Sequence, residues 1–378
     1  MNQPVYLDHN ATTPLAPGVL NVMTRYLATD FGNPSSSHHY GHAPKVAVAT
    51  ARRQLADLLG ALPDEIVFTG SGSEANTLAI TGVTAGRTGH VITQATEHPA
   101  VLETCKALTA QGIRFTILPV DEFGLVDPAD LAAALTDDTL LVSVMHANNE
   151  TGTIQPIAEL AAIAHAAGVL FHTDAAQTIG KVPFSVGDLG VDLLTVAGHK
   201  FGGPKGVGAL YIRKGVELSP VIRGGGQESG LRSGTENVAG IAGLGAAATH
   251  AAKVVATQHL HLLARRDELH ALIRAALGER VRLNGHPQRR LPNTLNVSIG
   301  GTVGADLLAT ASRIAASTGS ACHDGSIGSP VLSAMGLDAV RAAAAVRLSI
   351  GYATTQNEIR LAAQSLAEAV LTSAIGEL

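Results

Sequence analysis

Between about residues 45 and 213, short β-branched runs alternate with alanine-rich helical runs. Val46 to Leu59 reads as a helix ended by Gly60, Ile66-Val-Phe-Thr as a strand, and Ser73 to Thr84 as a helix. The strands continue through Val91-Ile-Thr, Phe115-Thr-Ile-Leu, Leu140-Leu-Val-Ser-Val, Val169-Leu-Phe-His and Val191-Asp-Leu-Leu-Thr-Val-Ala. Helical stretches around Leu131 and from Ile157 to Ala167 separate them. Apolar strands alternating with helices predict an α/β fold with a largely parallel sheet covered on both faces. The glycine-rich stretch from Arg223 to Asn237 breaks this rhythm. A helical tract over about 238–278 then leads to a smaller region containing Thr294-Leu-Asn-Val-Ser-Ile and Val346-Arg-Leu-Ser-Ile. The pattern predicts a large domain over residues 14–250 and a small one built from 1–13 with 251–378.

Composition narrows the class. The 378 residues, 46% of them hydrophobic, suffice for a large core. A formal charge of −5 without a basic run argues against a nucleic-acid groove. No uninterrupted apolar stretch approaches the length of a membrane span, and Met1-Asn-Gln-Pro does not begin a signal peptide, so no membrane partner and a cytoplasmic location are expected. In a reducing compartment the two cysteines, Cys105 and Cys322, are each judged as thiols rather than as a disulfide. His38, His39 and His42 lack a cysteine or carboxylate at metal-site spacing and are expected at the surface, so no metal is predicted.

Ligands of such sheets bind outside the carboxyl ends of the strands, which directs attention to Thr69, Glu97, His98, Asn149, Asp174 and His199. Asp174 closes a run long enough for a buried strand, where its carboxylate needs a cationic partner. Lys200 lies just past the next strand-like run. An amine able to form a Schiff base, with a carboxylate to hold a protonated pyridine, is what a protein supplies to use pyridoxal 5'-phosphate (PLP). Taken singly, Asp174 could equally cap a helix and Lys200 be a solvated loop residue. Thr69-Gly-Ser-Gly-Ser-Glu-Ala-Asn puts small residues between a strand and a helix, where the N–H groups of Gly72 and Ser73, the Ser73 hydroxyl and the helix dipole could hold a phosphate. Ser73 with Glu74 also fits ordinary capping.

Cys322 lies in the polar, glycine-rich stretch Ser317-Thr-Gly-Ser-Ala-Cys-His-Asp-Gly-Ser, which has almost nothing to bury and reads as an exposed mobile loop. That setting suits a nucleophilic thiol, whereas Cys105 on Val101-Leu-Glu-Thr-Cys-Lys-Ala-Leu suits a structural one. His323 when protonated would favour the Cys322 thiolate and Asp324 would oppose it.

Several segments, in order along the chain, resemble the PLP-dependent cysteine desulfurases. They are Tyr6-Leu-Asp-His-Asn-Ala-Thr-Thr-Pro, Phe31-Gly-Asn-Pro-Ser-Ser, Glu97-His-Pro-Ala-Val, Asn148-Asn-Glu-Thr-Gly, His172-Thr-Asp-Ala-Ala-Gln, His199-Lys-Phe-Gly-Gly-Pro-Lys-Gly, Gly224-Gly-Gly-Gln-Glu, Arg232-Ser-Gly-Thr-Glu-Asn and Ser320-Ala-Cys. The resemblance implies a fold-type I PLP-dependent transferase acting as a homodimer. It makes Lys200 the Schiff-base lysine and later the base at the substrate α-carbon. Asp174 would face the pyridine nitrogen, Gln177 the ring oxygen, and His98 would stack on the ring and relay protons. Gly72, Ser73, Thr195 and His199 would surround the phosphate, with Thr235 arriving from the partner subunit. Asn149 and Arg347 would hold the substrate carboxylate, Arg347 by a bidentate fork. Cys322 would take sulfur from L-cysteine as a persulfide, leaving L-alanine, and pass it to an acceptor protein for iron–sulfur clusters or for sulfur modification of tRNA, cofactors or DNA. A PLP aminotransferase, a selenocysteine lyase and a catalytically silent PLP-fold scaffold remain as alternatives.

Overall fold

The computed structural model describes residues 3–319 and 328–375. In chain order its strands are β1 (Val5–Tyr6), β2 (Ile66–Thr69), β3 (Gly89–Gln94), β4 (Ile113–Leu118), β5 (Thr139–Ser143) and β6 (Leu170–Asp174). They continue as β7 (Leu193–Ala197), β8 (Gly208–Ile212), β9 (Val281–Leu283), β10 (Thr294–Ile299), β11 (Ile314–Ala315) and β12 (Ala345–Ser349).

Seven strands form the large sheet in the order β2-β8-β7-β6-β5-β3-β4. β3 to β7 pair in parallel, while β8 runs antiparallel to both β7 and β2. Successive strand residues face opposite sides, and here both sides are apolar. Val91, Leu141 and Leu193 pack into one core cluster with the helices Gly72–Thr84 and Pro99–Leu108. Their neighbours Ile92, Val142 and Leu194 pack into another with the helix His39–Leu59 and the first half of Val238–Leu277. Each fully buried aliphatic side chain contributes roughly 1.5–3 kcal/mol.

One sequence expectation is corrected in this layer. The helix predicted from Val46 begins at His39, because Pro44 is tolerated near a helix N-terminus, where few internal hydrogen bonds are lost. His39 and His42 therefore stand on its exposed first turns, beside exposed His38. Val238–Arg280 is long and apolar enough to cross a membrane by length and composition, although polar residues interrupt it. More than half of its most apolar window is buried against the protein, as befits a core helix.

β9, β10 and β12 form a separate antiparallel sheet. The second half of the long helix (Leu262, Leu269, Ile273) and the helix Gln356–Ile375 (Ile359, Leu366, Val370) cover it in a third cluster. The N-terminal segment is laid into the same region. Val5 and Tyr6 pair with Ile314 and Ala315, and Leu7 O accepts from Ser349 N at 2.7 Å. Residues 8–13 are thereby held between the two sheets.

Candidate active site

One cavity of about 290 Å³ lies where these parts meet. The carboxyl ends of β6 and β7 supply Asp174 and Ala197, the turns beyond them Gln177, His199 and Lys200, and the start of the helix Gly72–Thr84 supplies Gly72, Ser73 and Asn76. His98 and Asn149 line it from loops, Arg347 from β12, and Asn10 with Ala11 from the N-terminal segment. Gly72, Ser73, His98, Asn149, Asp174, Gln177, His199, Lys200 and Arg347 were all singled out from the sequence.

Asp174 is 6% exposed. Its Oδ2 accepts from Asn76 Nδ2 at 2.7 Å and its Oδ1 from Ala176 N at 2.9 Å. Among the described residues no Lys or Arg forms an ion pair with it. A buried carboxylate with two neutral donors and no cation suits a positively charged partner placed in the cavity.

Lys200 closes the single helical turn Gly198–Lys200 at the end of β7. Its Nζ donates to Asn10 O at 2.7 Å and Ala11 O at 2.9 Å, which fixes the amine at the cavity wall. His199 Nδ1 is 3.2 Å from Thr12 Oγ1. Burial, followed by the positive charge of Lys200, lowers the His199 pKa to about 4, so its ring is neutral at physiological pH.

His98 is the N-cap of the helix Pro99–Leu108, and its Nδ1 accepts from Ala100 N at 3.1 Å. A backbone N–H can only donate, so the neutral ring carries its proton on Nε2. Capping and lining the cavity are therefore compatible roles for one side chain. The adjacent Glu97 points inward, its Oε1 accepting from Met145 N at 2.5 Å. Complete burial, and then the charge of Asp174, push its pKa well above the ordinary carboxyl range.

The N-cap of the helix Gly72–Thr84 is Ser71, whose side chain accepts from Glu74 N at 3.1 Å. This corrects the capping alternative for Ser73, which instead lines the cavity at the positive end of the helix. Gly72 permits close packing there, since a Cβ on it would meet Ala197 Cβ at 3.0 Å.

Thr195 does not line the cavity: its hydroxyl is 3.1 Å from His172 Nε2 inside the sheet, so it supports the floor rather than touching an occupant. Thr235 is exposed and does not line its own chain's cavity. The Arg347 fork is already engaged, with Nη2 2.7 Å from Asp8 Oδ1 and Nη1 donating to Asn149 O at 3.1 Å. Cys322, with His323 and Asp324, lies outside the described residues. Cys105 is buried, and burial, with Glu97 adding, pushes its thiol up to about 12, which leaves it structural.

Sequence reasoning missed Asp8, Asn10, Asn76 and Lys181. The first three stood inside quoted motifs without a role. Asn10 joins the parts: its O accepts from Lys200 and from Gln177 Nε2, while its Nδ2 donates to Asn149 O and Thr294 Oγ1.

The Aminotransferase class-V family model matches residues 5–361. The chain is 46% identical to the cysteine desulfurase IscS of Dictyoglomus turgidum, over 95% of this chain and 92% of that protein. A solved NifS-like protein superposes with a TM-score of 0.92 at 38% identity, over 98% of this chain and 100% of that one. A structure of SspA in complex with cysteine superposes with a TM-score of 0.80 at 37% identity, over 92% and 98%. Fold and site thus define a PLP-type transferase built on a large, mostly parallel sheet. Within that class, the chain belongs to the class-V aminotransferase family, among its cysteine desulfurases.

Proposed function

We propose that the protein binds PLP in this cavity and uses it to convert L-cysteine to L-alanine, with the sulfur held as a persulfide on Cys322. The observation that carries the reading is the placement of Lys200, Asp174, His98 and Gln177 around one cavity, with a helix N-terminus beside it. The residues fit the cofactor: Asp174 offers an unpaired buried carboxylate to a pyridinium, Lys200 an amine to an aldehyde, and Ser73 with the helix start a positive end to a phosphate.

PLP when bound supplies an electron sink for the substrate α-carbon. Asp174, oriented by Asn76 and Ala176 N, keeps the pyridine nitrogen protonated so that the sink works. Lys200 removes and returns the α-proton. Arg347 and Asn149 orient the substrate carboxylate, Arg347 sharing or exchanging the arm now closed on Asp8. His98 presents its Nε2–H to the cavity as a hydrogen-bond donor. The Cys322 thiolate attacks that sulfur: an S–S bond forms, the C–S bond breaks, and carbon keeps the electron pair and takes a proton to give alanine.

The persulfide would pass to an acceptor protein, for iron–sulfur cluster assembly or for sulfur modification. A likeness to a solved DndA of Streptomyces lividans, at 37% identity and a TM-score of 0.75, supports keeping the second route beside the first. Exposed Thr235, away from its own cavity, supports a homodimer in which it completes the neighbour's phosphate site. A thiol that must stay reduced between turnovers supports a cytoplasmic setting.

Two variants test the reading. Lys200→Ala is expected to abolish the visible absorption acquired with PLP, and Cys322→Ala to keep that absorption while losing alanine and sulfide formation from L-cysteine. Undiminished alanine formation by Cys322→Ala would contradict the thiol's role.

A further inference from the structure

Lys181 is 6% exposed, and among the described residues it has no carboxylate partner. Its Nζ donates to Gln177 Oε1 at 2.8 Å and lies 3.4 Å from Asn10 Oδ1. The other side of the Gln177 amide, Nε2, donates to Asn10 O at 3.0 Å. An amide can sit either way round, and its two ends have opposite hydrogen-bonding character. Lysine has donors only, so it accepts one orientation: Oε1 towards Lys181 and the NH2 end towards Asn10. One of the two Nε2 protons serves Asn10 O, which leaves the other for an acceptor in the cavity that Gln177 lines.

We propose that Lys181 is a positioning residue: it locks the Gln177 amide so that a donor faces the anionic ring oxygen of the cofactor. The inference rests on the PLP reading of the cavity and extends it one residue behind the wall. The buried ammonium also matches the missing charge of the occupant. Asp174 lines the cavity without a cationic partner, and Lys181 lies behind Gln177 with no carboxylate partner among the described residues. Burial, then the charges of Lys200 and Arg347, hold the Lys181 pKa well below its ordinary value, so a negative occupant relieves this crowding. The other titratable groups near it are His9, His199, His250 and His259, the last with Nδ1 3.0 Å from Lys181 O, and Asp8 faces Arg347.

The test uses the full-length PLP-loaded protein. Lys181→Met, which keeps the volume and removes donors and charge, is expected to weaken PLP retention about tenfold, the loss of one charge-assisted hydrogen bond. It is also expected to raise the pH midpoint of the visible cofactor band by about one unit, because a nearby positive charge no longer opposes protonation. Lys181→Arg keeps donors and charge and is expected to hold PLP within about threefold of wild type. In a Gln177→Ala background, Lys181→Met is expected to lose less PLP retention than in the wild-type background, since the part of its effect carried by that amide is already gone. Equal losses in both backgrounds would overturn the proposal, as would a Lys181→Met protein with wild-type retention and midpoint. A wild-type protein that takes up no PLP would overturn the reading of the cavity and this inference with it.

Discussion

Buried titratable residues give the site a pH signature of its own. His146 and His172 lie inside the large sheet region, bonded to Thr178 Oγ1 and Ser143 Oγ, and burial lowers both to a pKa of about 4. An unfolded chain binds those protons near pH 6.5, so their contribution is complete above 6.5 and is lost as pH falls through 4. Each supplies on the order of 1.4 kcal/mol per pH unit within that window. Glu97 acts with the opposite sign. Its folded pKa is raised, so its contribution is complete below about 4.5 and lost as pH rises above that. Urea denaturation is therefore expected to show stability falling from pH 6.5 to 4 in the wild type. Glu97→Gln should match the wild type at pH 4 and exceed it increasingly towards pH 8, provided the Met145 N bond is kept. Equal stabilities at pH 8 would mean that Glu97 ionises without cost. Lys200 and Asp174 were legible in the sequence because each followed a strand-like run and their pairing suits only a narrow chemistry. Lys181 and Asn10 were not, since their meaning lies in bonds to Gln177 and Thr294 that no local pattern announces.

The strands of the large sheet were readable because both faces are buried and their β-branched runs are short and bounded. The helix starts were less so. Pro44 and the polar run before Val46 hid two turns of the helix His39–Leu59, and the cap before Gly72–Thr84 falls on Ser71 rather than Ser73. β8 carried no strong run of its own, yet it holds the cap in place: a Cβ on Gly208 would lie 2.6 Å from Val196 O and 2.7 Å from Ser71 C. Both are backbone atoms and cannot swing aside. Gly208→Ala is expected to cost about 1–3 kcal/mol by overpacking and to loosen PLP retention by shifting the Ser71–Ser73 turn. Gly187→Ala, whose Cβ would meet only Ser185 Oγ at 3.7 Å, serves as the comparison and should stay within about 1 kcal/mol of wild type. Equal effects of the two, read by thermal melting and by absorbance after dialysis, would contradict the packing account.

At the scale of the molecule, the N-terminal segment, the large sheet and β12 each contribute a wall, so the site exists only when distant parts of the chain fold together. Asn10 and Arg347 mark that closure, since Arg347 bonds both Asp8 and Asn149 O. The alternation of strands and helices made the α/β class legible. It gave no sign of this three-way meeting, because hydrophobic period reports which face is buried and not against what. The polar stretch around Cys322 drew attention by its sequence alone, and it carries the chemical claim that separates this protein from other users of the same cofactor. That claim is tested most directly by mass spectrometry of the PLP-loaded protein after anaerobic incubation with L-cysteine. The expected result is one added sulfur on the peptide containing Cys322, removed by a thiol reductant and absent in Lys200→Ala. Alanine produced with no sulfur on that peptide would contradict the account.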